Sequence, residues 1–269
     1  MDIRQLARGS VEWDRIERVA RTLADRYDRE TVRVEFLEAD NWLSTPCVID
    51  EEWFVKIISR QNALVHALLT TGRNIGAFSS GTEGFFERFD TPLAMAEHEY
   101  EATVRMREIG LNAPQPIEAF EVNGLGVLVL EYLPAFETLD DLSPEAVTEQ
   151  APTLFRMLAT LHEHSLAHGD LRAENILLCD GELYFIDATH VREGHTHEAR
   201  AYDLACAMAV LEPRIGPRAT VQASLSAYSA PDVLSAREFL DFVSLRPDHD
   251  FDTTQLRSEV EQAAELDRQ

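Results

Sequence analysis

The side chains best suited to chemistry are concentrated in one segment, His168-Gly169-Asp170-Leu171-Arg172-Ala173-Glu174-Asn175. A predicted hairpin comes next, and it ends in Phe185-Ile186-Asp187. Asp170 and Asn175 lie on one loop and can converge on one site, while the hairpin returns the chain so that Asp187 reaches it from the opposite side. Phosphoryl transfer needs a carboxylate near the attacking hydroxyl and oxygen ligands for Mg²⁺. An Asx-turn would explain one loop aspartate alone. The whole arrangement instead predicts that Asp170 faces an acceptor and that Asn175 and Asp187 bind Mg²⁺.

Lys56 is the only lysine in the chain, because every other basic residue is arginine. It lies among apolar neighbours in a predicted strand. Phosphoryl transfer also requires a cation that binds the phosphates of the nucleotide, and Lys56 is the candidate for that cation. A solvent-facing lysine on an edge strand is the alternative, which the avoidance of lysine elsewhere weakens. Its acidic partner should come from a predicted helix on which Glu97 and Glu101 share one face and Glu99 lies nearly opposite. The residues alone leave all three open.

The elements that must position these residues change in type along the chain. Hydrophobic periodicity and capping signals predict helices at 10–27, 93–109, 143–164, 199–211 and 235–243. Alternating apolar residues and turn signals predict strands at 32–36, 47–49, 53–58, 114–122, 127–130, 176–178 and 183–186. A strand-rich front half and a helical rear half therefore suggest two lobes with a cleft between them.

Composition bounds the class of protein. No segment of the 269 residues approaches the roughly 20 apolar residues that span a bilayer, and the N-terminus has no apolar signal core. Three scattered cysteines predict reduced thiols in a cytoplasmic protein. The net charge of −24, from 48 acidic and 24 basic residues, resembles that of halophilic proteins, because at about 1 M salt the Debye length of about 3 Å screens acidic self-repulsion. The same charge argues against broad binding to nucleic acid.

The segment around Asp170 resembles the catalytic loop and metal-binding strand of the protein-kinase-like superfamily. His168-Gly169-Asp170, in place of HRD, is similar to atypical and small-molecule members, and Asp187-Ala188-Thr189, in place of DFG, is similar to RIO-type kinases. Ala96-Glu97-His98-Glu99-Tyr100 and the later Pro114-Gln115-Pro116-Ile117 look like the corresponding helix and strand of RIO-type kinases. Arg172 either contacts a phosphate or an acceptor, or is a surface arginine.

This resemblance implies a role for each candidate. Lys56 would hold the α- and β-phosphates of ATP, and Glu99, rather than Glu97, would orient it. Asp170 would accept or orient the proton of the attacking hydroxyl, and Asn175 and Asp187 would bind Mg²⁺. In the RIO family the metal-binding aspartate can itself take the phosphoryl group, so slow ATPase cycling is a second use of the same site.

The remaining contacts to nucleotide are predicted from the same resemblance. Adenine would bond to backbone groups of Glu131 and Leu133. The turn between the first two strands contains no glycine, although backbone approaches the phosphates there, so either Asn41 or Ser44 supplies the contact or nucleotide binding is weak. Asp203 would brace the catalytic loop through backbone hydrogen bonds.

The implied fold class is α+β, a two-lobed protein-kinase-like fold with a small β-rich N-lobe and a compact, mostly helical C-lobe. The matching regions cover roughly residues 31–210. The predicted segments are an N-terminal helical segment at 1–30, an N-lobe at 31–134 with a flexible loop at about 70–92, a C-lobe at 135–246 and an acidic tail at 247–269.

The functional hypothesis is an ATP-dependent phosphotransferase, a RIO-like serine/threonine kinase or ATPase that uses ATP and Mg²⁺ on a hydroxyl-bearing protein or small molecule. A small-molecule or lipid-sugar kinase of the aminoglycoside or lipopolysaccharide kinase type is the first alternative. A nucleotide-binding regulatory module with negligible turnover is the second. Family analogy suggests ribosome maturation, which the acidic surface does not support.

Overall fold

The computed structural model describes residues 12–37, 44–61, 91–188, 196–246 and 249–266. Its helices are α1 (Trp13–Arg26), α2 (Pro92–Glu108), α3 (Pro144–Glu163), α4 (Thr196–Ile215), α5 (Pro217–Ser224), α6 (Ala230–Ser235), α7 (Arg237–Val243) and α8 (Thr253–Leu266). Its strands are β1 (Val34–Phe36), β2 (Thr45–Ile49), β3 (Trp53–Ile58), β4 (Pro116–Val122), β5 (Leu125–Glu131), β6 (Glu137–Thr138), β7 (Ile176–Cys179) and β8 (Glu182–Phe185). Asn41 and most of the loop predicted at about 70–92 lie outside the described residues.

The chain divides into two compact units, and the first holds an antiparallel five-stranded sheet in the order β1-β2-β3-β5-β4. Two tight turns set the register of its hairpins. Asp50 and Glu51 have φ of 55° and 58° between β2 and β3, and Asn123 and Gly124 have φ of 52° and 76° between β4 and β5. Positive φ at both central residues matches the right-handed twist of the flanking strands, so the two predicted turns join neighbouring antiparallel strands.

Alternation along the strands decides which side chains face which helix. Val127 and Val129 of β5 belong to an apolar cluster with α1, whereas Leu128 and Leu130 belong to a second cluster with α2. Successive strand residues point to opposite faces of a sheet. In β3, Lys56 lies between two residues of the α1 cluster, so its side chain is directed to the face that α2 covers.

Gly126 permits close contact between α2 and the sheet. A Cβ atom at this position would lie 2.1 Å from the carbonyl oxygen of Pro92, which is the first residue of α2. That separation is far inside van der Waals contact and involves backbone, so a side chain here would push α2 away. The glycine thus helps to place the helix that carries Glu99.

The second unit is mostly helical, with a small sheet in the order β6-β7-β8. Its core joins residues of α3, α4, α5, α7 and α8 with the apolar residues of β7 and β8. Helix α3 begins as predicted, since the Ser143 hydroxyl accepts a hydrogen bond from the backbone N–H of Ala146 at 3.3 Å and Pro144 is the first helical residue. Asp180 and Gly181, with φ of 52° and 81°, form the predicted turn between β7 and β8.

The C-terminal part of this unit differs from the sequence prediction. The helix predicted at 235–243 corresponds to α7, and a separate helix that was not predicted, α6, precedes it and begins at a capping box formed by Ser229 and Asp232. The segment predicted as an acidic tail contains α8, whose Leu256 and Val260 are buried in the core of the unit. Within the described ranges, no helix is long and apolar enough to cross a membrane.

Candidate active site

Lys56 of β3 forms an ion pair with Glu99 of α2 inside the first unit. The distance from Lys56 Nζ to Glu99 Oε1 is 2.5 Å. Lys56 is 3% exposed, and the Glu99 side chain is 13% exposed. Desolvation of two charges offsets much of their mutual attraction, so a buried pair is weak grounds for stability alone. The burial of Lys56 beside Glu99 is therefore not explained by stability alone.

The structure chooses among the three glutamates that the sequence leaves open. Glu97 and Glu101 are exposed, whereas Glu99 is half-buried. The buried residues Met95 and Ala96 of α2 pack against the sheet near Ile58, which turns the Glu99 side of the helix inward. The predicted partner of Lys56 is thus the one in contact with it, and the roles of both toward a nucleotide stay predictions.

In the second unit, the loop from His168 to Asn175 ends in a short 3₁₀ turn that fixes Asn175. The Nδ2 of Asn175 donates a hydrogen bond to the backbone carbonyl of Asp170 at 2.8 Å, and its backbone N–H donates to Arg172 at 3.0 Å. Since Nδ2 is used within the loop, the amide oxygen is the atom that Asn175 can offer to a metal ion. Gly169, with φ of 75°, supplies the left-handed backbone immediately before Asp170.

Asp203 of α4 is hydrogen-bonded to the backbone at the start of this loop. Its two carboxylate oxygens accept hydrogen bonds from the backbone N–H groups of His168, at 2.6 Å, and Gly169, at 2.8 Å. His162 Nε2 lies 3.1 Å from the same carboxylate, and its Nδ1 lies 2.7 Å from the hydroxyl of Tyr228. Asp203 is fully buried, so it has the bracing position that was predicted.

We expect Asp203→Ala to lower the free energy of unfolding by about 3–5 kcal/mol, because two buried N–H groups and His162 lose a charged acceptor. Denaturation by guanidinium chloride would measure this change. Tyr228→Phe is the graded comparison, with an expected loss of about 1 kcal/mol for one hydrogen bond. An Asp203→Ala protein as stable as the wild type would contradict the bracing role.

Asp187 follows β8 and is brought beside Asn175 by backbone hydrogen bonding. The N–H of Ile186 donates to the carbonyl of Asn175 at 3.1 Å, and Asp187 itself has φ of 61°. Among the described residues, no group of three or more His, Cys, Asp or Glu side chains is placed to hold a metal. Mg²⁺ that is shared with nucleotide phosphates needs only one or two carboxylates. The oxygen donors of Asn175 and Asp187 therefore fit Mg²⁺ in such a site.

The His168 ring lies among these carboxylates and is fully buried against Phe185, with ring centroids 5.2 Å apart. Burial lowers the pKa of the imidazole below its ordinary value, although the charges of Asp203, Asp170 and Asp187 oppose that change. Neither ring nitrogen has a hydrogen-bond partner within the described ranges. His168 therefore acts as an uncharged core side chain beneath the loop.

Part of the chain is similar to known proteins. Residues 86–214 match the family model of the RIO domain. The matched segment is a little under half of the chain, and it is similar to RIO-type, protein-kinase-like domains. The chain is 33% identical over 103 residues to KEOPS complex subunit Bud32 of Pyrococcus abyssi (strain GE5 / Orsay), a match that covers 37% of this chain and 46% of that protein. The chain therefore spans less than half the length of this relative.

The fold is similar to a solved structure of an aminoglycoside-3'-phosphotransferase of type VIII. The TM-score is 0.54 at 17% identity, over 86% of this chain and 99% of that one. At that identity the similarity shows the fold alone, and it confirms the predicted fold class of a strand-rich unit and a mostly helical unit. RIO domain and fold together support an ATP-using, kinase-like protein.

The residues predicted to contact nucleotide are placed less completely. In the first unit, the N–H of Glu131 at the end of β5 donates to the carbonyl of Gln115 at 2.8 Å, and Leu133 is buried two residues later. Ser44 is buried, and its hydroxyl has no hydrogen-bond partner among the described residues. The adenine contacts and the choice between Asn41 and Ser44 stay predictions.

One residue near the loop from His168 to Asn175 was missed by sequence reasoning. Asp170 Oδ2 lies 3.4 Å from Arg172 Nε, and Asp170 Oδ1 lies 2.8 Å from Nη2 of Arg246. Arg246 is 76 positions away in sequence and outside the segment that matches the RIO domain. No local pattern distinguishes it from the chain's other arginines, so the structure alone identifies it.

Proposed function

We propose that this chain is a RIO-type phosphotransferase that moves the γ-phosphate of Mg·ATP to a hydroxyl group, as a serine/threonine kinase or an ATPase. The observation that carries the proposal is the buried Lys56–Glu99 pair, formed by the only lysine of the chain. Burial of this pair has a desolvation cost that a structural role does not require. A phosphate-binding cation, held in one orientation by a carboxylate, accounts for that cost.

The remaining residues supply the chemistry of transfer. The acceptor oxygen forms a bond to the γ-phosphorus as the bond from that phosphorus to the β,γ-bridging oxygen breaks, and its electron pair leaves with ADP. The acceptor proton passes to the Asp170 carboxylate or to solvent as Asp170 orients the hydroxyl. Lys56 lowers the repulsion between the phosphates and the incoming oxygen.

Asn175 and Asp187 are the residues that would hold Mg²⁺. When bound, Mg²⁺ neutralises charge on the β- and γ-phosphates. The 2.8 Å hydrogen bond from Asn175 to the Asp170 carbonyl ties the metal-binding amide to the carboxylate loop. One loop therefore sets the positions of both functions.

Transfer to a small hydroxyl-bearing molecule, as in kinases of aminoglycosides or lipid sugars, is the second candidate. It is favoured by the limited access to Asp170, whose side chain is 13% exposed and lies beneath Arg246. A compact acceptor reaches such a carboxylate more easily than a folded protein surface does.

The experiment that tests the proposal follows γ-labelled phosphate from ATP in molar KCl with Mg²⁺. Label on the protein that resists hydroxylamine indicates serine or threonine phosphorylation, whereas label that hydroxylamine removes indicates an acyl phosphate. Label in inorganic phosphate indicates an ATPase, and label on added polyols or amino sugars indicates the second candidate. Nucleotide binding with label in none of these products would contradict phosphotransfer and favour a regulatory module.

A further inference from the structure

Arg246 belongs to a part of the second unit that the RIO domain match does not reach. It follows α7, which is anchored in the core by Phe239, Leu240 and Val243. Its backbone N–H donates to the carbonyl of Val243 at 3.0 Å, which extends the helical turn by one hydrogen bond. The backbone of Arg246 is therefore held by a packed helix end.

The guanidinium of Arg246 joins two groups of the catalytic unit. Nη2 lies 2.8 Å from Oδ1 of Asp170, and Nη1 donates to the hydroxyl of Tyr202 at 2.5 Å. The side chains of Arg246 and Asp170 are 10% and 13% exposed. Tyr202 is fully buried on α4, with its ring 6.0 Å from that of Phe239 on α7. Arg246 is thus fixed at both its backbone and its head group.

We propose that Arg246 is a positioning residue for phosphoryl transfer. It holds the Asp170 carboxylate in the orientation in which that carboxylate contacts the acceptor hydroxyl. This inference rests on the proposed function. The planar guanidinium presents its donors in a rigid fork, so simultaneous contacts to Asp170 and Tyr202 restrict the rotation of the carboxylate. Arg172, near the other carboxylate oxygen at 3.4 Å, adds a second restraint.

Arg246 stays in place when an acceptor arrives. Hydrogen bonds between ionised partners are about twice as strong as those between neutral groups, so a neutral hydroxyl does not displace it from Oδ1. A buried ion pair adds little stability compared with apolar residues of the same volume. Precise orientation of Asp170 is the benefit that accounts for the pair.

The test compares ATP turnover by Arg246→Ala, Arg246→Lys and wild type, with Arg214→Ala as the matched control. Arg214 also contacts an aspartate of the second unit, at 2.6 Å from Oδ1 of Asp140, and both side chains are more exposed than those of Arg246 and Asp170. We expect Arg246→Ala to lower kcat about 10- to 100-fold, as small displacements of catalytic groups do, with KM for ATP within about twofold of wild type. Arg246→Lys restores part of kcat, and Arg214→Ala matches wild type.

A double variant shows whether Arg246 acts through Asp170. In an Asp170→Asn background, Arg246→Ala should cause no further loss of kcat, because residues that act as a unit are not additive. The thermal midpoint should likewise fall by about 3–6 °C on Arg246→Ala in the wild-type background and by less in the Asp170→Asn background. This second readout needs no turnover.

Three results would overturn the inference: an unchanged kcat in Arg246→Ala, an equal loss of kcat in both backgrounds, or an equal thermal shift in both. A wild-type protein without turnover would instead contradict the proposed function. It would remove the catalytic role of Arg246 with it, while the thermal comparison would still decide whether the contact with Asp170 forms.

Discussion

Asp170→Asn is expected to lower the rate of phosphoryl transfer by about 10³-fold while ATP still binds, since a positioned proton acceptor contributes about 10²- to 10⁴-fold. Asparagine keeps the shape of the side chain but cannot take a proton. The loop should keep its conformation, because Asn175 bonds to the backbone carbonyl of Asp170 rather than to its carboxylate. Single-turnover transfer measures the chemical step, and calorimetric titration with ATP measures affinity.

Asp140→Asn is the matched control for this change. Asp140 lies in the same unit and also contacts an arginine, Arg214, but its side chain is 57% exposed. Removal of a negative charge at Asp140 tests whether net charge alone alters turnover, and we expect no change. An Asp170→Asn protein with the wild-type transfer rate would contradict the assignment of Asp170.

Lys56→Ala is expected to lower kcat/KM for ATP by about 10²- to 10³-fold, the size of effect seen when one electrostatic contact to a transition state is removed. Lys56→Arg should not restore it, because the wider guanidinium does not fit where a compact ammonium contacts Glu99 and the phosphates. Glu99→Gln should cause a smaller loss, since the lysine remains but loses its orienting charge. Steady-state kinetics across ATP concentrations would measure all three changes.

Glu97→Gln and Glu101→Gln are the controls on the same helix, and both should turn over ATP as the wild type does, since their side chains are exposed. The double variant Lys56→Met with Glu99→Leu separates stability from function. Replacement of a buried ion pair by apolar residues is often neutral or stabilising, so this protein should stay folded and yet be inactive. A folded, fully active double variant would show that the pair is structural.

The local features of the fold could be predicted from sequence because they depend on local signals. Asn123-Gly124 and Asp180-Gly181 predict hairpin turns through their tolerance of positive φ, and Ser143-Pro144 predicts the start of α3. The face of α2 that packs against the sheet could not be predicted in this way. Its apolar residues do not form one clean stripe, so the sequence alone could not decide among Glu97, Glu99 and Glu101, and family resemblance selected Glu99.

The features that were missed depend on distant contacts or on signals hidden by charge. Arg246 reaches Asp170 across 76 positions, and no periodicity records such a contact. Helix α8 carries buried Leu256, Val260 and Ala264 at helical spacing, but acidic neighbours made the segment resemble a tail. The start of α6 was missed because its signal is the capping box of Ser229 rather than an apolar run.

The most direct measurement of the central claim is ATP turnover in molar KCl, with and without Mg²⁺, by wild type and Asp187→Ala. Asp187 follows β8 beside Asn175 and is partly exposed, so its replacement should leave the protein folded. We predict Mg²⁺-dependent release or transfer of the γ-phosphate by wild type and its loss in Asp187→Ala. A folded wild-type protein that neither binds nor turns over Mg·ATP would contradict the account.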